Sequence, residues 1–182
     1  MATSSTLTLD FQTIAVIGAG AMGRGIAQIA AQTGATVYLY DTNHAACLDA
    51  KKQLCAQWDK LVAKAKISSE NASAYLGNIR VAETMDDLGG CELIVEAIIE
   101  RLDIKQDLFK SLEAVVTDQC VLASNTSSLS ITAIAAGLER PERFAGYHFF
   151  NPVPLMRVVE VIAGLKTEPD VIQRLQRFGS AM

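Results

Sequence analysis

The chain has 182 residues, 50% hydrophobic and 20% charged, and 16 Lys and Arg against 20 Asp and Glu leave a net charge of −4. Such a composition excludes a disordered chain, and its mild acidity argues against nucleic acid or an anionic membrane as partner, because both recruit dense basic surfaces. No run approaches the roughly 18 apolar residues of a membrane span, and the length suits one large domain that buries roughly 70% of its unfolded surface.

Residues 1–10 carry no basic stretch followed by an apolar run, so no signal peptide is expected. Thr13–Gly18 is a short, β-branched apolar run that suits a strand buried on both faces. Ala21–Thr33 reads as a helix stopped by Gly34, and Thr36–Tyr40 as a second strand closed by Asp41. This β-α-β unit has the length of a crossover between parallel neighbours. A long helix is expected over Ala45–Lys66, with Leu48, Leu54, Trp58, Leu61 and Val62 at helical spacing and lysines 51, 52, 60, 64 and 66 on a solvated face. Ile67–Asn78 is less regular, with a short helix and a turn at Gly77–Asn78.

Ile79–Ala82 is a short strand, and a polar turn over Asp86–Gly90 precedes the buried strand Leu93–Ile98. Ile104–Val116 follows as an amphipathic helix with Ile104, Leu108, Leu112 and Val115 on one stripe. Val121–Ser124 is the next strand and Ile131–Leu138 a small helix. Phe144–Phe149 and Val158–Ile162 are two further strands around the loop Asn151–Pro154, and Pro169–Phe178 is a last helix. Repeated β-α units with apolar strands predict a doubly wound α/β sheet with helices on both faces, whose ligand sits at the carboxyl ends of the strands.

Two constellations fall at such ends. Gly18-Ala19-Gly20-Ala21-Met22-Gly23 ends a strand and opens a helix, as a dinucleotide-binding turn requires. Gly18 permits the tight turn, Gly20 lets a pyrophosphate approach the backbone, and Gly23 lets helix and strand pack closely; the free N–H groups of the helix then face the phosphates. Asp41, 18 residues beyond the last glycine, can accept bonds from ribose hydroxyls and repels a 2′-phosphate, which favours NAD over NADP. An ordinary helix N-cap is compatible with that role. The second constellation is His148 and Glu160, 12 residues apart on strands joined by a short loop. A carboxylate on one imidazole nitrogen would fix the tautomer for general-base work at the other. From spacing alone, a structural histidine and an outward-facing glutamate remain open.

Between them, the hydroxyls of Ser124-Asn125-Thr126-Ser127-Ser128 could touch a nicotinamide or a substrate oxygen, with Ser128 and Ser130 better read as helix caps. Glu100 lies beyond its strand, nearer a cofactor ribose than Glu96. The cysteines (Cys47, Cys55, Cys91 and Cys120) are spaced 8, 36 and 29 apart, neither a disulfide framework nor a metal motif, so free thiols in a reducing, cytoplasmic setting are expected. His44 and Cys47 cannot complete a four-ligand zinc site.

The segments VIGAGAMGRGIAQIAA, IVEAIIERLDIKQDLF, ASNTSSLSI and RFAGYHFFNPVPLMRVVEVI together resemble the NAD-binding domain of the L-3-hydroxyacyl-CoA dehydrogenases, including the 3-hydroxybutyryl-CoA type, over Ile14–Ile162. The resemblance implies a Rossmann-type domain over 1–182 with a helical hairpin extension and antiparallel last strands. It implies NAD contacts at the glycine loop, Asp41, Glu100, Lys105, Ser127 and Asn151, His148 as general base with Glu160 as its orienting partner, and Ser127 also on the substrate. Lys64 matches a lysine that meets the CoA, while a family serine in the same helix falls on Gln57. Members carry a further, mostly helical domain that closes over the acyl-CoA and forms a homodimer. The chain is therefore expected to be a fragment of a fatty-acid-metabolising oxidoreductase that binds NAD and is weakly active or inactive alone. A non-catalytic dinucleotide-binding module and a dehydrogenase of free 3-hydroxy acids are the alternatives.

Overall fold

The computed structural model of the protein describes residues 9–182, so the expectation about a signal peptide lies mostly outside the described residues. Five apolar segments form the parallel body of one sheet: β1 (Thr13–Ile17), β2 (Thr36–Tyr40), β3 (Ile79–Val81), β4 (Leu93–Glu96) and β5 (Val121–Ser124). β6 (Phe144–Phe149) continues in parallel and β7 (Val159–Ala163) returns antiparallel, giving the order β3-β2-β1-β4-β5-β6-β7. The doubly wound topology and the reversed last strand are as expected from the sequence. Alternate residues of the strands feed two cores. Ile14 and Val16 face α1 (Ala21–Gln32), α2 (His44–Ala63), α3 (Ser69–Asn78) and α6 (Pro169–Ala181), whereas Ala15 and Ile17 face α4 (Leu102–Glu113) and α5 (Ile131–Ala135).

Several local expectations give way to tertiary contacts. The turn at Gly77–Asn78 is absent, because α3 runs through both residues. Ser68 caps its start by accepting the Asn71 N–H, and Asn78 Nδ2 ties its end to the Ala31 carbonyl of α1. Leu48 is 54% exposed; the buried stripe of α2 is Cys47, Ala50, Leu54 and Trp58, so a cysteine and an alanine fill places that hydropathy gave to a leucine. On α4 the buried face is Lys105, Phe109 and Leu112: Leu112 is buried as expected, whereas Lys105 and Phe109 take the places given to Ile104 and Leu108.

β7 is a mostly apolar segment at the sheet edge, with Val159 and Val161 half-buried and Glu160, Ile162 and Ala163 exposed. Glu160 is thus not a buried carboxylate, and its side chain is 55% exposed. β4 stops at Glu96 rather than Ile98, since the Ile98 N–H turns back to the Glu96 carboxylate at 2.7 Å. Among the described residues, no helix is long and apolar enough to cross a membrane. The four cysteines are free, and burial pushes the Cys47 thiol up to about 11 and those of Cys91 and Cys120 up to about 12.

Candidate active site

The parallel strands deliver their carboxyl ends to one edge of the sheet, and the antiparallel β7 brings its beginning there. At the end of β1, Gly18 has φ +104°, and a Cβ there would stand 2.6 Å from the carbonyl oxygen of Ala97, the residue after the adjacent strand β4. A Cβ on Gly23 would lie 1.8 Å from the Gly18 carbonyl oxygen, so the first turn of α1 is packed onto the loop that precedes it. Around Gly20 the opposite holds, with nothing within 4 Å of a built Cβ.

No side chain caps α1 and no acidic residue sits in its first turn, which leaves its N–H groups and positive dipole end facing that space. The loop therefore fits a pyrophosphate. Gly20→Ala is expected to lower fold stability by at most about 1 kcal/mol, the size of a weakened helix cap, and to weaken NAD binding by about tenfold or more. Gly23→Ala strains the fold itself, at a cost of about 1–3 kcal/mol. Thermal unfolding with and without NAD distinguishes the two.

Asp41 follows β2 beside this loop. Its Oδ2 accepts the Ala19 N–H at 2.9 Å and its Oδ1 the Asn43 N–H at 2.9 Å. The helix cap is Asn43, so Asp41 braces the glycine loop rather than capping α2. The Thr42 hydroxyl also reaches Oδ1, at 3.5 Å, which leaves about one of the four lone-pair positions, on Oδ2, to ribose hydroxyls. A cavity of about 590 Å³ extends from Gly18, Gly20 and Asp41 to Ile98, Ile104 and Leu108. Ile104 and Leu108, two residues of the predicted α4 stripe, therefore form one wall of this cleft.

Beneath the edge lies a polar cluster that the sequence showed only in part. Glu96, fully buried, accepts the Ser124 Oγ–H at 2.6 Å and pairs with Lys105 Nζ at 2.5 Å. Lys105 is 1% exposed and also lies 3.3 Å from Glu100 Oε2, so its ammonium bridges two carboxylates below the cleft instead of opening onto it. Glu100 Oε1 in turn accepts the Thr126 hydroxyl at 2.5 Å, the Ser127 N–H at 3.0 Å and the Ser128 N–H and hydroxyl, each at 3.2 Å. Ser128 is therefore held by Glu100 and caps nothing, while Ser130 caps α5 through the Ala133 N–H as expected.

Burial alone would raise the Glu100 carboxyl, but the Thr126 hydroxyl, the Lys105 charge and the Ser127 N–H together hold it below its ordinary value. A carboxylate lowered in the folded state contributes stability that is fully present above its unfolded value, roughly 4.3, and is lost as pH falls through the folded one. Amide protection of Ser127 and Ser128 is accordingly expected to hold at neutral pH and to collapse in acid, below that unfolded value. Hydrogen exchange against pH checks this.

His148 lies one residue from the end of β6, directly opposite Glu160 in the β6–β7 register. Its Nδ1 is 2.8 Å from Glu160 Oε2, and the imidazole is 18% exposed, with its ring centroid 4.6 Å from that of Phe150. With Nδ1 engaged, Nε2 is the nitrogen left for proton transfer. Ser127 and Asn151 are exposed at the same edge, on the loops after β5 and β6. Lys64 is exposed at the C-terminal end of α2. His44 is exposed at the other end of that helix, and no cluster able to hold a metal occurs among the described residues. Sequence reading missed Gly25, where a Cβ would meet Val153 at 2.8 Å, so that α1 packs against the loop carrying Asn151.

A doubly wound sheet with a glycine turn at the end of its first strand, a carboxylate after the second and a carboxylate–imidazole pair at the same edge is the arrangement of the cofactor-binding domain of a nicotinamide-dependent dehydrogenase. Residues 13–182 match the family model described as 3-hydroxyacyl-CoA dehydrogenase, NAD binding domain, and the chain belongs to that family. It is 42% identical to the 3-hydroxyadipyl-CoA dehydrogenase of Escherichia coli over 93% of this chain and 36% of the relative. It is 39% identical to a 3-hydroxybutyryl-CoA dehydrogenase of Bradyrhizobium diazoefficiens over 91% of this chain and 56% of the relative. A crystal structure of 3-hydroxybutyryl-CoA dehydrogenase from Escherichia coli superposes with a TM-score of 0.93 at 42% identity, over 95% of this chain and 37% of that one. The chain thus spans between about a third and just over half the length of these relatives.

Proposed function

We propose that this chain is the cofactor-binding and acid–base half of an enzyme that interconverts (S)-3-hydroxyacyl-CoA and 3-oxoacyl-CoA with NAD. The observation that carries the reading is the 2.8 Å His148–Glu160 pair beside a glycine turn shaped for a dinucleotide. Binding NAD needs no base, so a purely cofactor-holding module leaves this pair without a purpose. NAD, when bound, supplies the hydride acceptor. His148 Nε2 takes the proton of the substrate 3-hydroxyl as the C3 hydride departs, and the 3-oxo group forms from the electrons of the broken O–H bond.

Glu160 keeps the imidazole in the tautomer that accepts at Nε2 and balances the imidazolium that forms. Ser127 donates its hydroxyl toward the substrate oxygen, with its backbone fixed by Glu100. Asp41 holds the adenosine ribose, Asn151 borders the nicotinamide, Glu100 meets the cofactor above the loop it braces, and Lys105 acts through Glu100. Lys64 offers an exposed charge to the CoA phosphates. Homodimer contacts and a cover for the acyl chain belong to a further domain of the whole protein.

The test compares acetoacetyl-CoA with acetoacetate as oxidants of NADH. Reduction of the thioester at least about 10²-fold more efficiently, close to 3 kcal/mol of transition-state binding, supports the reading. Equal use of the two points to a dehydrogenase of free 3-hydroxy acids.

A further inference from the structure

β5 and β6 pair only as far as Ser124 opposite Gly146, whereas β6 runs on through Tyr147, His148 and Phe149 with β7 alone as backbone neighbour. On the side that β5 has left, the Phe149 N–H donates to the side chain of Asn125, whose Oδ1 lies 2.8 Å away. Asn125 is itself fixed, because its N–H donates to the Glu96 carbonyl of β4 at 2.8 Å. The side-chain amide thus stands in for the next carbonyl of a strand that has ended.

The bond is not needed by the loop in which Asn125 sits. The Thr126 N–H is met by Ser124 Oγ, those of Ser127 and Ser128 by Glu100, and that of Leu129 by Thr126 Oγ1. An asparagine that merely closed its own turn would bond locally; this one reaches 24 residues ahead to the residue after His148. Successive side chains of a strand leave on opposite faces, so holding the peptide between His148 and Phe149 fixes the direction in which the imidazole departs. Phe149 completes the grip from the other face, where its ring packs edge-on against Tyr147 at 4.7 Å.

We propose that Asn125 is a positioning residue for the His148–Glu160 pair, acting through the Phe149 amide. The kinetic part of this inference rests on His148 being the general base. Two variants separate the acceptor from the shape: Asn125→Leu removes the oxygen at nearly constant size, and Asn125→Asp keeps it. The 182-residue chain has only two histidines, so the ring nitrogens of His148 can be followed by NMR beside those of His44.

In Asn125→Leu the Phe149 amide is expected to exchange about tenfold faster, the weight of one lost hydrogen bond. The His148 ring should move from the single Nδ1–H tautomer toward a mixture. Turnover of acetoacetyl-CoA should fall by roughly 10- to 100-fold, as a displaced base implies, with KM for NADH changed less than about twofold. Asn125→Asp should restore all three. An unaltered His148 ring and turnover in Asn125→Leu, or an Asn125→Asp protein that is folded yet equally impaired, would overturn the proposal. If Asn125→Leu does not fold, Asn125→Ser takes its place, since its shorter hydroxyl falls short of Phe149. Turnover is read on the whole enzyme; where the 182-residue chain alone shows none, as expected of a domain without its acyl-chain cover, the amide and ring measurements decide the role of Asn125.

Discussion

Replacing His148 with Gln in the whole enzyme is expected to lower turnover by on the order of 10²–10⁴ while leaving NAD affinity within about twofold. The substitution keeps a side chain that can hydrogen-bond and fill the space, but it removes the imidazole nitrogen to which the proton is transferred. Glu160 is 55% exposed and stays solvated when its partner is lost, so the change should not unfold the sheet edge. The glycine turn and Asp41 belong to β1 and β2, three and four strands away in the sheet order, and should bind the cofactor as before. Steady-state kinetics with a 3-oxoacyl-CoA, together with calorimetric titration of NAD, measure the two quantities. Equal loss of both would show that His148 supports the cofactor site rather than the chemistry.

The second large effect lies beneath the cleft. Lys105→Met is expected to destabilise the domain by about 3–5 kcal/mol, because it leaves the fully buried Glu96 carboxylate without its counter-charge. Pairing it with Glu96→Gln should recover most of that loss. The amide oxygen can still accept the Ile98 N–H while its NH2 donates to Ser124 Oγ, and a neutral buried site avoids the desolvation of two ions. Denaturant unfolding of the single and double variants tests this, and equal instability in both would mean that the ion pair is not what holds the site. The ammonium matters to function through the same geometry, since it bridges to Glu100 and Glu100 holds the Ser127 loop.

The sequence carried the frame of this argument well, for identifiable reasons. Alternation of short β-branched runs with helical periods gave the strands in the right places, because a strand buried on both faces has little freedom of composition. The glycines spoke clearly because two of them are dictated by contact: a Cβ at Gly18 or Gly23 would collide with backbone oxygen. The direction of β7, by contrast, came from resemblance to a family and not from its composition.

What stayed hidden depends on partners far along the chain. Nothing in a helical stripe announces that Lys105 is buried, since its neutralising carboxylate sits nine residues away on another element. Leu48 faces water and Cys47 the core because packing on β2 and α3, rather than hydropathy, chooses the face. Spacing left open whether Glu160 faces outward or pairs with His148, and the edge strand lets it do both, with its side chain 55% exposed and 2.8 Å from the imidazole. Asn125 read as one more polar residue in a run of hydroxyls, and its bond to Phe149 exists only once β5 and β6 lie side by side.

The most direct test of the account is calorimetric titration of NAD and NADP against the 182-residue chain. One NAD per chain, with NADP bound at least about tenfold more weakly by the repulsion of its 2′-phosphate from Asp41, is the expected result. Absence of NAD binding, or a preference for NADP, would contradict the assignment of the glycine turn and Asp41 as the cofactor site on which the rest is built.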